Sequence, residues 1–246
     1  MSSSILVKDL AIQFRVYHNR APSLKEGFAN FLKPNAVSQY EDFFAIKNLT
    51  LKIVSGERVG IIGANGAGKS TLLKVLCRIY EPQKGSLIIN GKIAPLIEIG
   101  AGFHPDFTGR ENLFLNGAIL GYSKKELLRI EKEIISFAEL QNFIDTPVKY
   151  YSTGMHLRLG FAIATAVNPD ILVLDEMFAG GDSSFIKKAT DRMHQLISSA
   201  NIMVMVSHQL ELVESLCTRV VWIDKGEIIA DGYPGKIISS YLTSKR

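Results

Sequence analysis

Two cysteines in 246 residues, Cys77 and Cys217, stand far apart with no metal-ligand spacing around them. That excludes a disulfide framework and a cysteine metal site, and leaves both as core thiols of a reducing compartment. The N-terminal MSSSILVKDLAIQF lacks a basic head, a continuous apolar stretch and a small-residue cleavage site, so no secretion signal is expected. No apolar run reaches the length of about 18 residues that a membrane helix needs, and the chain is expected to be soluble. Charge of one sign is also lacking: 28 basic residues face 24 acidic ones, and a net +4 does not point to nucleic acid. Internal repeats and low-complexity segments are absent. What is present is a 47% apolar composition, enough for the core of one domain or of a domain with a lobe.

The apolar pattern divides the chain. ILVKDLAIQFRV (5–16) and AIKNLTLKIVSGE (45–57) read as strands. The spacer between them, residues 17–43, carries Pro22 and Pro34 and a short stretch in which Leu24, Phe28, Phe31 and Leu32 form one apolar helical face. Two readings stand for it: an insertion packed on its own domain, or an element facing a partner or a membrane. RVGIIG, ANGAGK and STLLKVLCRIY follow as strand, glycine turn and helix. GSLIINGKIAPLIEIG reads as short strands joined at Asn90-Gly91, and a helical character runs from Gly109 to about Val167. Apolar strands return at 171–175, 202–208 and 219–224, separated by helices at 183–199 and 209–217, with a last helix in PGKIISSYLTS. Strands apolar throughout and alternating with helices imply a mainly parallel sheet covered on both faces.

Two motifs carry chemistry. Gly63-Ala64-Asn65-Gly66-Ala67-Gly68-Lys69-Ser70 fits the phosphate-loop pattern G-x-x-x-x-G-K-[ST] and lies between a strand and a helix, as that pattern requires. Its glycines let successive backbone N–H groups, from Gly63, Asn65, Gly66, Ala67 and Gly68, converge on phosphate oxygens at a helix N-terminus. Lys69 neutralises the outer phosphates, Ser70 supplies a hydroxyl for Mg²⁺, and Thr71 reaches an inner phosphate. In Ile171-Leu172-Val173-Leu174-Asp175-Glu176 an apolar strand delivers two carboxylates to a sheet edge. Asp175 suits Mg²⁺, and Glu176 suits the general base that polarises the attacking water.

With these motifs in place, residues 58–231 resemble the ATPase subunit of ABC transporters, in which a Leu-Ser-Gly-Gly-Gln segment precedes the Asp-Glu strand; here Tyr151-Ser152-Thr153-Gly154-Met155 occupies that place. The resemblance implies an α/β fold over 1–246: a P-loop NTPase (RecA-like) core with a mainly parallel sheet, an antiparallel β subdomain and an α-helical lobe at about 103–167. It also implies ATP and Mg²⁺, and a head-to-tail homodimer in which Ser152 and Gly154 of one copy close on the γ-phosphate held by the other. His208 resembles the histidine that contacts the γ-phosphate, a catalytic role it shares with Lys69 and Glu176. Asp182 resembles the loop aspartate that reaches across the dimer. Tyr40 matches the aromatic that stacks on adenine, with Phe43 as rival. Glu98 stands where the family has a metal-sensing glutamine, and adds negative charge near the phosphates.

EIGAGFHPDFTGRENL, YSTGMxxRL and the insertion ahead of AIKNLTLKI are similar to the ATPase subunits that export O-antigen, capsular polysaccharide or teichoic acid. That similarity implies a peripheral protein at the cytoplasmic face of the inner (plasma) membrane, an integral-membrane permease dimer as partner, and a lipid-linked polysaccharide as cargo. Since the chain stops at Arg246, no further carbohydrate-binding domain is expected. The rival class is a soluble ABC-type ATPase acting on ribosomes or DNA, but neither a second phosphate loop nor sustained heptads is present, and no nucleic-acid partner is expected. A third reading, a regulatory cassette that scarcely hydrolyses ATP, runs against Lys69, Asp175, Glu176 and His208.

Overall fold

The computed structural model describes residues 2–17, 40–97, 99–175 and 183–244. Strand β1 (Ser4–Tyr17) lies between β2 (Tyr40–Val54) and β4 (Lys84–Asn90) in an antiparallel three-stranded sheet. The alternation read in the sequence explains it: Ile5, Val7, Leu10 and Ile12 are all buried, and so are Ile46, Leu49, Leu51 and Ile53 opposite them. Both strands run further than the sequence suggests, because Tyr17 pairs with Tyr40 and Phe14 with Phe43 across the ends of the expected insertion. The apolar helical face expected around Leu24 to Leu32 lies outside the described residues.

A second sheet has six strands in the order β5 (Ile93–Leu96), β6 (Ile171–Asp175), β7 (Ile202–Val206), β3 (Arg58–Ile62), β8 (Arg219–Asp224) and β9 (Glu227–Gly232). All pairs are parallel except β8–β9. Side chains of β6 and β7 alternate between two cores, as the two-residue period requires. Ile171, Val173, Ile202 and Val204 join the antiparallel sheet around helix α1 (Lys69–Leu76). Leu172, Leu174, Met203 and Met205 pack on the other side against α5 (Ser183–Ser199), α6 (Leu210–Leu216) and α7 (Pro234–Ser244). Among the described residues no helix is long and apolar enough to cross a membrane.

Two readings of the sequence gain detail. Asn90-Gly91 does join two short strands, but β4 and β5 belong to different sheets, and the dipeptide carries the chain from one to the other. The helical stretch 109–167 is broken into α2 (Gly109–Ile119), α3 (Lys124–Ala138) and α4 (Thr153–Ala164), with a short 3₁₀ turn at Val148–Tyr150. The breaks have local causes. Thr108 and Ser123 each begin a helix with a reciprocal capping box to Glu111 and Glu126, and Ser152 caps α4. These helices share their own core around Leu113, Leu127, Ile134 and Leu159.

Candidate active site

Strand β3 ends at Ile62, and the chain turns through Gly63–Gly68 into α1. Gly66 (φ 77°) and Gly68 (φ 106°) lie in the left-handed region, and a Cβ on Gly68 would run into the Ala45 carbonyl oxygen. Glycine is therefore required where the loop passes under β2. The loop is pinned from below: Gly226 N–H donates to the Ala67 carbonyl at 2.9 Å, and Lys47 N–H donates to Gly226 at 2.8 Å. Helix α1 has no side-chain cap and no acidic residue in its first turn, so its leading N–H groups and dipole are not matched by a carboxylate of their own turn. The Lys69 ammonium donates to the carbonyls of Gly63 (3.0 Å) and Ala64 (2.9 Å), and only 6% of the residue is exposed.

Sheet order assembles the rest. Because β6, β7 and β3 are parallel neighbours, their C-terminal ends open on one edge, with Asp175 paired to Val206 in register. A cleft of about 580 Å³ results, lined by Asn65, Gly66, Gly68, Lys69, Ser70, Thr71, Asp175 and His208, with Phe14, Phe43, Ala45 and Val206. Gly63 and Ala67 are buried in the turn beneath it. The Ser70 hydroxyl and the Asp175 carboxylate on one cleft form a hard-oxygen donor pair that suits Mg²⁺ when phosphate oxygens complete it. No group of three or more His, Cys, Asp or Glu able to hold a metal alone occurs among the described residues. Glu98, Glu176 and Asp182 lie outside the described residues.

The two aromatic candidates, Tyr40 and Phe43, are placed differently. Tyr40 does not line the cleft; the Arg15 guanidinium lies 4.1 Å from its ring centroid, and Arg15 is paired with Asp42 at 3.0 Å. Phe43 does line it, with its cross-strand partner Phe14. Tyr40 and Phe43 are three residues apart on one strand, which places them on opposite faces. Phe14 reaches the cleft from an alternating strand ahead of the insertion, outside any motif.

Ser152 and Gly154 do not line this cleft. Ser152 Oγ accepts from Met155 N–H at 3.2 Å and caps α4, while a Cβ on Gly154 would meet nothing within 4 Å except Ser152 Oγ. The cap is rigidly mounted: Tyr151 Oη donates to Phe143 O (2.7 Å), and a ring nitrogen of His156 lies 2.8 Å from Val148 O. Alongside, the buried Asn112 amide donates to the carbonyls of His104, Phe107 and Thr108 and accepts from His104 N–H at 2.7 Å, which fixes the loop from residue 104 to 108. A fully buried Asn with this many partners stands out only in the structure.

The ABC transporter family profile matches residues 46–179. Over 241 residues the chain is 43% identical to the O-antigen export system ATP-binding protein RfbB of Myxococcus xanthus, covering 97% of this chain and 55% of that relative. It is 36% identical to the Klebsiella pneumoniae protein of the same name, over 98% of both chains. It is 35% identical to the teichoic acids export ATP-binding protein TagH of Shouchella clausii, over 98% of this chain and 66% of the relative. Among solved structures, an ATP-binding subunit of an ABC transporter superposes with a TM-score of 0.66 at 25% identity, covering 97% of this chain and 93% of that one. A dimeric ATP-binding cassette bound to ADP and Pi also gives 0.66, at 22% identity over 94% and 98%.

Proposed function

The chain belongs to the ABC transporter family, and from that premise we propose that it is the ATP-hydrolysing subunit of a membrane exporter for lipid-linked polysaccharide, O-antigen foremost. The observation that carries this reading is the 36% identity to an O-antigen export ATP-binding protein over 98% of both chains, with the phosphate loop, Asp175 and His208 converging on one cleft.

ATP enters with its phosphates on the loop N–H groups, and Lys69 exchanges the Gly63 and Ala64 carbonyls for phosphate oxygens. Ser70 and Asp175 would hold Mg²⁺, which would offset charge developing on the phosphates. Glu176 takes the proton of the attacking water, and His208 contacts the γ-phosphate. Phe43, in the cleft wall, replaces Tyr40 as the ring that stacks on adenine. A second copy supplies the Ser152 hydroxyl and the N–H groups of α4, while Gly154 leaves room for close approach. By resemblance alone, Asp182 would have the role of the aspartate that contacts the second copy, and Glu98 that of the metal-sensing residue.

Two ATP molecules thus hold a homodimer, and loss of γ-phosphate removes contacts from both copies at each composite site. The permease dimer docks at the groove of about 540 Å³ whose lining includes Ile79, Ile89, Ile93, Ile99, Gly100 and Ile119. Ile79 and Ile119, at 54% and 65% exposure, offer that partner apolar surface beside the segment Gly100 to Asn112. On this reading the chain works peripherally at the cytoplasmic face of the inner (plasma) membrane.

Deletion of the gene tests the reading. Surface glycan is expected to disappear while its lipid-linked form accumulates inside, with rescue by the wild-type chain and none by Lys69→Ala. Normal surface glycan with altered small-molecule uptake would instead place the chain in another kind of ABC transporter.

A further inference from the structure

We propose that Glu139 is a positioning residue that sets the angle between α4, which Ser152 begins, and α5, which starts immediately after Asp182. The inference rests on the two-copy reading above and adds to it the part of each copy that aims its half of the composite site.

Glu139 ends α3 in the left-handed region, at φ 58° and ψ 41°. Glycine or asparagine ordinarily fills such a position, because a Cβ is strained there. A strained residue retained where an easier one fits points to its side chain. That side chain spans three helices. One carboxylate oxygen of Glu139 accepts from Arg158 of α4 at 3.4 Å, and the other from Lys188 of α5 at 3.1 Å. Lys188 also donates to the Phe137 carbonyl at 3.1 Å.

Around this carboxylate the two lobes share a hub. The Phe137 ring packs against both the helical-lobe core and the core of the parallel sheet's outer face. It lies 6.0 Å from Phe161 of α4 and 5.8 Å from Phe185 of α5, between centroids. The Lys188 ammonium and the Arg192 guanidinium stand 5.0 and 4.8 Å from its centroid. Arg192 also donates to Thr165 O at the end of α4 (3.2 Å) and pairs with Glu133 at 3.3 Å.

Glu139 contacts both Arg158 and Lys188, and its removal takes a negative charge from between these two cations at the lobe boundary. The Glu139 side chain is 45% exposed, so its bridges are screened by salt and can re-form as the lobes turn. The phosphate loop and the cleft are built from other elements, so nucleotide capture by a single copy does not pass through Glu139.

The test uses the full chain with Glu176→Gln to trap the ATP-bound pair, alone and combined with Glu139→Gly or Glu139→Gln. ATP-driven pairing is read by analytical ultracentrifugation, single-copy affinity with a fluorescent ATP analogue, and stability by thermal melting. Glu139→Gly is expected to melt close to its parent, because relief of the backbone strain offsets the lost, partly exposed bridges, and to bind nucleotide with unchanged affinity. Pairing is expected to need about fivefold more ATP in both variants, and kcat in the Glu176 background to fall with KM little changed. About 1 M salt should weaken pairing of the parent more than that of either variant. Pairing and turnover like the parent's overturn the proposal, as does a loss of pairing matched by a fall in melting temperature. If the parent does not pair with ATP at all, the two-copy reading falls and this inference with it.

Discussion

Gly160 of the Ser152-led helix lies against Gly100 so closely that a Cβ on it would stand 2.7 Å from the Gly100 nitrogen and 2.8 Å from its Cα. Backbone faces backbone here, and neither side can yield by turning a side chain. In a helix exposed to solvent, Gly→Ala stabilises by about 1 kcal/mol. At Gly160 the crowding reverses the sign, and Gly160→Ala is expected to destabilise by about 1–3 kcal/mol. ATPase turnover should fall with it, because the displaced loop carries the segment toward Glu98. Thermal melting decides: a rise in melting temperature would mean that the contact is slack.

The adenine contact separates two aromatic residues of one strand. Phe43→Ala is expected to weaken ATP binding about tenfold, within the range of one base–aromatic stack of about 1–3 kcal/mol. Tyr40→Ala should leave affinity unchanged, because its ring lies under Arg15 outside the cleft. Equilibrium titration with ATP measures both, and the reverse order would return the role to Tyr40.

Substitution can divide the cap that Ser152 forms from the role proposed for it in the composite site. Ser152→Ala removes the cap on Met155 N–H and is expected to cost about 0.5–2 kcal/mol of stability. Ser152→Asp keeps a capping oxygen but presents a negative charge to the partner's triphosphate. It should melt like the wild type and lose ATP-driven pairing and turnover; a fully active Asp variant would remove Ser152 from the composite site.

Chemistry and assembly part at Glu176. The Glu176→Gln chain should bind ATP and pair while turning over about 10²–10⁴-fold more slowly. Lys69→Ala should fail at the earlier step of nucleotide binding. Steady-state hydrolysis with size-exclusion chromatography in ATP reads both, and undiminished turnover in Glu176→Gln would assign the base elsewhere.

The thiols give a pH prediction. Burial pushes both Cys77 and Cys217 up to about 12, from an ordinary value of 9.0. The folded state favours the neutral thiol, so its contribution to stability is complete below about pH 9 and declines as pH rises from 9 toward 12. Alkylation at pH 8 should be slow in the native chain and fast once it is unfolded. Fast native labelling would show that the thiols are accessible.

Much of this was legible because period and motif spacing are local properties. Strands Ile171–Asp175 and Arg219–Asp224 and helices Ser183–Ser199 and Pro234–Ser244 match their apolar patterns. The phosphate loop could be placed because its glycines and Lys69 do their work within eight residues. What escaped depends on pairing over distance. The partner of β4 is β1, some 80 residues away, so the strands joined at Asn90-Gly91 do not reveal that they belong to different sheets. The register across 17–40 decides that Phe43 rather than Tyr40 turns toward the cleft, and no local pattern encodes a register. Glu139 reads as an ordinary helix end until its left-handed backbone and its partners on two other helices are seen.

The phosphate cradle hangs from the β8–β9 turn and from β2 by its own backbone, through Ala67, Gly226 and Lys47. A receptor already in shape before its anion arrives loses little chain freedom on capture. On the two-copy reading, free energy not consumed in shaping that receptor is left for drawing the copies together, and the mooring at Gly226 contributes to how hard they pull.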